Sequence, residues 1–228
     1  MSIHPSRRRA AMLLAAAAAV AAVVVAVAAV ASSSGGAPPA PVASSDLFRG
    51  IPERDGVLGD PDAPVTVTEF VDLQCPACAA AARVTLPQLV RNHVRTGEVK
   101  LEARTLQFIG PDSDRAARFA AGAAEQGRLW PFLEAFYSAQ GQENSGYVTD
   151  EFLRSVARAA GVDADAALEH ADSAAAQDAL NRANADAQRL GVQSTPTFAV
   201  ARGDGPARVL AGSDAAAVSA AIGRELAR

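Results

Sequence analysis

Val65-Thr66-Val67-Thr68-Glu69-Phe70-Val71-Asp72-Leu73-Gln74-Cys75-Pro76-Ala77-Cys78 carries the fold of this chain. It begins as a strand: Val65, Val67 and Val71 are β-branched, Phe70 adds bulk, and Pro64 and Asp72 bound the run. It ends in Cys-x-x-Cys, and Ala79 to Ala82 then continue as strong helix formers. The pattern therefore predicts a strand, a short turn and a helix with two cysteines on its first turn. Free N–H groups and the positive end of the helix dipole gather where Cys75 sits. A thiolate is stabilised there, which makes the sulfur both a nucleophile and a good leaving group. Pro76 fits the first helical position, where a missing N–H costs nothing. Cys78, three residues on, shares the helix face and can close a small disulfide ring with Cys75.

Working back toward the N-terminus, the loop Gly59-Asp60-Pro61-Asp62-Ala63-Pro64 leads into that strand. Leu47 to Leu58 scatters apolar residues among Gly and Pro, as a short edge strand would. Ser32 to Ser45 is rich in Ser, Gly, Pro and Ala and predicts a flexible spacer. Ala10 to Ala31 is an uncharged run of Ala, Val, Leu and Met that, as a helix, would span roughly 33 Å. Arg7, Arg8 and Arg9 precede it, which orients the N-terminus inward and the rest of the chain outward. Its length favours an uncleaved membrane anchor, whereas Ala29-Val30-Ala31 before Ser32 also suits a signal-peptide cleavage site. Both readings place the domain outside the cytoplasm: at the cell membrane if anchored, secreted or periplasmic if cleaved. The expected organisation is an anchor or signal segment over 1–31, a linker over 32–45 and one domain over 46–228.

Forward of the cysteines, the helix is expected to reach about Arg95, with Pro87 kinking or splitting it. Val99, Leu101 and Ala103 alternate with polar neighbours as a second strand. From Pro111 to about residue 190 the chain reads as helical. Leu129, Phe132, Leu133, Phe136 and Tyr137 form an apolar stripe better suited to a core than to a substrate groove. Thr149 and Ser173 are placed to start helices, and Gly191 to end one. Thr197 to Val200, the turn Gly203-Asp204-Gly205 and Ala207 to Leu210 make a hairpin pattern, with Ser213 capping a last helix.

The 228 residues carry a formal charge of −4. Taking Arg7, Arg8 and Arg9 from the 21 basic residues leaves 18 against 25 acidic ones. With no basic stripe and no interleaved aromatics, nucleic acid is not an expected partner. Cys75 and Cys78 are the only cysteines, so an exported domain of this size must be held by packing, which frees the pair for redox work. Zinc wants four ligands, and His4, His93 and His170 are not at ligand spacing; no metal and no cofactor are expected. An inert disulfide across three residues would close too small a loop to stabilise much. His93 and His170, among polar neighbours, read as solvated surface residues, and the charged residues from Asp163 to Arg189 as a solvated helix face.

Strands early and late with a helical block between them resemble the thioredoxin fold with an inserted α-helical subdomain, specifically the DsbA-like thiol–disulfide oxidoreductases. The resemblance rests on Glu69-Phe70 six residues before Cys75, the Cys75-Pro76-x-Cys78 helix start and Leu86-Pro87-Gln88-Leu89. It continues through Leu129 to Gln140 and Gly191-Val192-x-x-Thr195-Pro196-Thr197-Phe198. The whole chain is thus expected to be α/β, with a thioredoxin-like fold, a helical insertion over about 111–190 and a preceding transmembrane helix.

The resemblance implies that Pro196 is cis and lies against the cysteine pair, and that Thr195 helps to form the edge on which substrate peptides dock. It also implies that Glu69 is a buried carboxyl that handles the proton of Cys78. Ala77 stands where the best-known oxidants carry histidine, and Ser194 where glycine is common. The expected substrates are reduced, newly translocated proteins, with a quinone-linked membrane oxidase restoring the disulfide. A reductase or isomerase on the same fold, or a non-catalytic peptide-binding module, are the alternatives.

Overall fold

A computed structural model describes residues 46–228. The expected membrane helix and linker lie outside the described residues. Among the described residues, no helix is long and apolar enough to cross a membrane.

The quoted stretch forms β3 (Val65–Val71), the middle of a six-stranded sheet. Upstream, the segment expected to be one edge strand is a minimal hairpin of β1 (Glu53–Arg54) and β2 (Val57–Leu58). Its turn is Asp55-Gly56, with φ of 51° and 76°; two left-handed residues are what a tight hairpin needs, and Asp-Gly supplies them.

After β3, helix α1 (Pro76–Leu89) carries the chain over the sheet to β4 (Val99–Thr105), which pairs with β3 in parallel from Val65↔Val99 to Val71↔Thr105. This is a βαβ unit, with its crossover helix buried against the sheet. Pro87 neither breaks nor ends α1. The helix instead widens into a π-helical turn over Val90–Val94, where the Val90 N–H reaches both Leu86 O and Pro87 O.

Five helices then follow: α2 (Pro111–Glu125), α3 (Leu129–Ser138), α4 (Asp150–Ala160), α5 (Ala164–Ala171) and α6 (Ala174–Leu190). The Thr149 and Ser173 hydroxyls accept from Phe152 N and Ala176 N, so both caps stand where the sequence placed them. The chain returns as β5 (Thr197–Arg202), antiparallel to β3, then β6 (Arg208–Ala211) and α7 (Ala215–Leu226). The last cap differs from expectation: Asp214, not Ser213, accepts from Ala216 N and Ala217 N. A carboxylate one residue nearer the helix meets those amides and favours the positive dipole end.

The sheet order is β1-β2-β4-β3-β5-β6. Val65, Val67 and Val71 join one large core with α1, α3 and α7, while Phe70 points to the other face with Ala183 and Ala187 of α6. The apolar stripe of α3 is core, as expected: Phe132 and Phe136 are fully buried, as is the neighbouring Trp130, and Phe136 meets Phe152 edge-on at 5.2 Å.

Helices α2 and α5 pack closely at Gly122, where a Cβ would fall 2.7 Å from the Ala167 Cα. His93 departs from its expected solvated position. Its ring is mostly covered and lies between Glu98 (3.4 Å) and Ser219 (3.2 Å). Asp186, on the expected solvated face, instead pairs with Arg104 of β4 at 2.9 Å.

Candidate active site

At the C-terminal end of β3 the chain turns through Asp72-Leu73-Gln74 and delivers Cys75 as the N-cap of α1, with φ −72° and ψ 118°. Pro76 takes the first helical position. Cys75 is 8% exposed and Cys78 is wholly buried beneath it. The Cys75 thiol is lowered to about 5. The largest cause is a hydrogen bond from the Cys78 side chain, and the Thr195 side chain and the backbone N–H groups of Cys78 and Ala77 act in the same direction against the cost of burial. Cys78 moves the other way: burial pushes its thiol far up, and the Cys75 side chain and the charge of Glu69 add to that. One cap position and one residue a turn deeper thus give two sulfurs opposite ionisation behaviour.

The cis Thr195–Pro196 bond just before β5 faces this pair. When protonated, Cys75 Sγ donates to the Thr195 carbonyl oxygen at 3.3 Å. The strand register explains why residues so distant in sequence meet. Phe70 pairs with Thr197, so the end of β3 and the start of β5 lie side by side.

Glu69 pairs with Ala103 on one side and Phe198 on the other, and is 4% exposed. Burial raises its carboxyl to about 8, so it is mostly protonated at neutral pH. The structure therefore brings together all five residues singled out from the sequence: Cys75, Cys78, Glu69, Thr195 and Pro196. Among the described residues, no group of three or more His, Cys, Asp or Glu is placed to hold a metal ion.

Sequence reasoning missed the polar frame behind the cysteines. Asp72 and Gln74 are fully buried. Gln74 Nε2 donates to Ser113 Oγ (2.9 Å) and Asn144 Oδ1 (3.2 Å), and Gln74 Oε1 accepts from Asn144 N (2.6 Å). Gln140 Nε2 donates to the carbonyls of Leu73 (2.7 Å) and Cys75 (3.2 Å), and Tyr137 Oη to that of Asp72 (3.3 Å). The helical block thus grips the turn that carries Cys75. The available signal was two polar residues alternating with Val71 and Leu73 directly before the cysteines.

Residues 53–203 match the family model described as thioredoxin. A "Probable disulfide bond formation protein D" of Bacillus anthracis is 32% identical over 149 residues, spanning 63% of this chain and 68% of that protein. The chain belongs to the DsbA-like family.

Like other DsbA-like proteins, it is a thiol–disulfide oxidoreductase with a thioredoxin-like α/β fold. Oxidised BdbD from Bacillus subtilis superposes with a TM-score of 0.67 at 23% identity, covering 84% of this chain and 100% of that one. The DsbA of Chlamydia trachomatis gives 0.64 at 20% identity, covering 74% and 90%. At these identities the two structures speak to the fold. In this DsbA-like chain the helical stretch between β4 and β5 supplies most of the frame that holds the cysteine turn.

Proposed function

We propose that this protein is an exported, membrane-tethered oxidant that introduces disulfides into newly translocated proteins. The observation that carries the reading is Cys75 at the start of α1, its thiol lowered to about 5 above a buried, protonated Cys78. A stabilised thiolate favours the reduced enzyme, and so makes the disulfide form the stronger oxidant. Arg7 to Arg9 followed by the apolar run Ala10 to Ala31 supports export and tethering.

In the first step a substrate thiolate attacks Cys75 Sγ of the oxidised pair, and Cys78 leaves with the bond's electrons. Glu69, held protonated by burial, supplies the proton to Cys78. The mixed disulfide lies beside Thr195 and Pro196, where the substrate backbone docks. A second substrate thiolate then attacks the substrate's own sulfur and expels Cys75 as its stable anion. The substrate gains a disulfide and the enzyme two electrons, which a quinone-linked membrane oxidase removes.

Equilibration with glutathione redox buffers tests the direction. A pair as oxidising as this one is reduced at ratios that leave thioredoxin-like reductases oxidised, with each 30 mV worth about 1.4 kcal/mol. Acid trapping and alkylation in cells gives the second arm. A mostly oxidised pair supports the oxidant, and a mostly reduced pair overturns it in favour of a reductase.

A further inference from the structure

We infer that Asp72 is a positioning residue for the disulfide exchange: its buried carboxylate holds the turn that presents Cys75 at the start of α1. The inference rests on the reading of Cys75 as the attacked sulfur. The Asp72 side chain has no exposure, and among the described residues no basic side chain pairs with it. A buried carboxylate without a cation is costly unless donors surround it. Here three do. Oδ1 accepts from Gln74 N (2.9 Å) and Ser113 Oγ (2.7 Å), and Oδ2 accepts from Ile109 N (3.1 Å).

These donors belong to three separate pieces of chain: the cysteine turn itself, the loop after β4, and the first turn of α2. The carboxylate therefore sits between the N-termini of α1 and α2, both of which favour its charge. Its own backbone closes the turn, since Asp72 O accepts from Cys75 N at 3.0 Å. The neutral isostere cannot reproduce this. Asparagine has one acceptor oxygen, so its amide group would face the Ile109 N–H, donor against donor. The turn thus needs two acceptor oxygens, which the carboxyl group has and the amide lacks. Released from Ile109 or Ser113, the turn would let Cys75 drift from the N–H groups of Ala77 and Cys78 that support its anion.

The experiment is titration of the Cys75 thiolate by its ultraviolet absorbance in the reduced protein, comparing the parent with Asp72→Asn and Ser113→Ala. A positioning role predicts a rise in the midpoint of about one pH unit for Asp72→Asn, a tenfold loss of anion stability, and a smaller rise for Ser113→Ala. Loss of stability without movement of the midpoint would overturn it. A fall in the midpoint would also overturn it, because it would mean that Asp72 acts only as a like charge opposing the thiolate. If Asp72→Asn does not fold, Ser113→Ala decides: a rise supports the inference and an unchanged midpoint overturns it. A parent midpoint near that of free cysteine would instead count against the proposed function, a separate outcome from either variant's shift.

Discussion

Cys75 Sγ lies 3.3 Å from the carbonyl oxygen of Thr195, a residue 120 positions further along the chain. The sulfur proposed to react and the backbone proposed to dock a substrate are therefore neighbours in the free protein. That arrangement assigns the two cysteines different fates on mutation. In Cys78→Ser the Cys75 thiolate can still attack a disulfide of a substrate protein, expelling one substrate thiolate, and the resulting mixed disulfide should accumulate because Cys78 is not there to expel the substrate. Cys75→Ser should form none and lose oxidase activity. Non-reducing gels of acid-trapped cells expressing each variant separate the two outcomes.

Burial holds the Glu69 carboxyl at about 8 and burial likewise raises Glu53 to about 7. In the oxidised protein, where neither cysteine titrates, both glutamates make the folded state hold protons that the unfolded chain releases near 4.5. Stability contributed by each is thus full below 4.5 and is lost as pH rises, with a slope of at most about 1.4 kcal/mol per pH unit per group. Glu69→Gln should remove the part of the decline that continues to pH 8 and leave the Glu53 part, which ends near 7. Urea titrations across pH 5 to 9 read this directly.

In the proposed mechanism the same substitution leaves Cys78 without its proton source. Disulfide transfer to a reduced peptide should slow by roughly a hundredfold at neutral pH in Glu69→Gln, within the usual range for loss of a general acid. Stopped-flow fluorescence measures the rate, and an unchanged rate would remove Glu69 from the mechanism.

Gly122→Ala sets helix propensity against packing. Alanine gains up to about 1 kcal/mol in a helix interior. Its Cβ would however stand 2.7 Å from Ala167 Cα and 2.8 Å from Ala167 O, backbone that cannot swing aside. Overpacking of this kind costs about 1–3 kcal/mol, so the variant should be net destabilised with an unchanged denaturant slope. A stabilised variant would show that α2 and α5 separate freely.

Phe136 sits within 5.2 to 6.4 Å of the rings of Phe132, Tyr137, Tyr147 and Phe152. Phe136→Ala should cost about 3–5 kcal/mol and lower the melting temperature by on the order of 10 °C. Because Tyr137 and Gln140 reach the cysteine turn from the same helix and its end, the thiol titration should broaden as well.

Much of this was legible in the residues. The β-branched run into Cys-x-x-Cys, the caps at Thr149 and Ser173 and the hairpin at Gly203 are local signals, and local signals survive folding when packing agrees with them. Cys75 and Cys78 stood out as the start of a helix, whereas Glu69, Thr195 and Pro196 were reached only through the family resemblance. What the sequence hid was long-range. Gln74 meets Ser113 and Asn144 from 39 and 70 positions away, and no periodicity encodes such a meeting. Glu53 is similar: it caps α3 by accepting from Leu129 N, across 76 positions. Ser213 was misplaced by one residue because Ser and Asp are both good caps and only the backbone course chooses between them. Asp55-Gly56 is a local hairpin signal of the same kind, since both residues take left-handed φ.

The pairing of Phe70 with Thr197 has a mechanical meaning. Cys75 and the Thr195 carbonyl are carried at adjoining ends of the same two strands, so a flexing of the sheet that moves one moves the other with it.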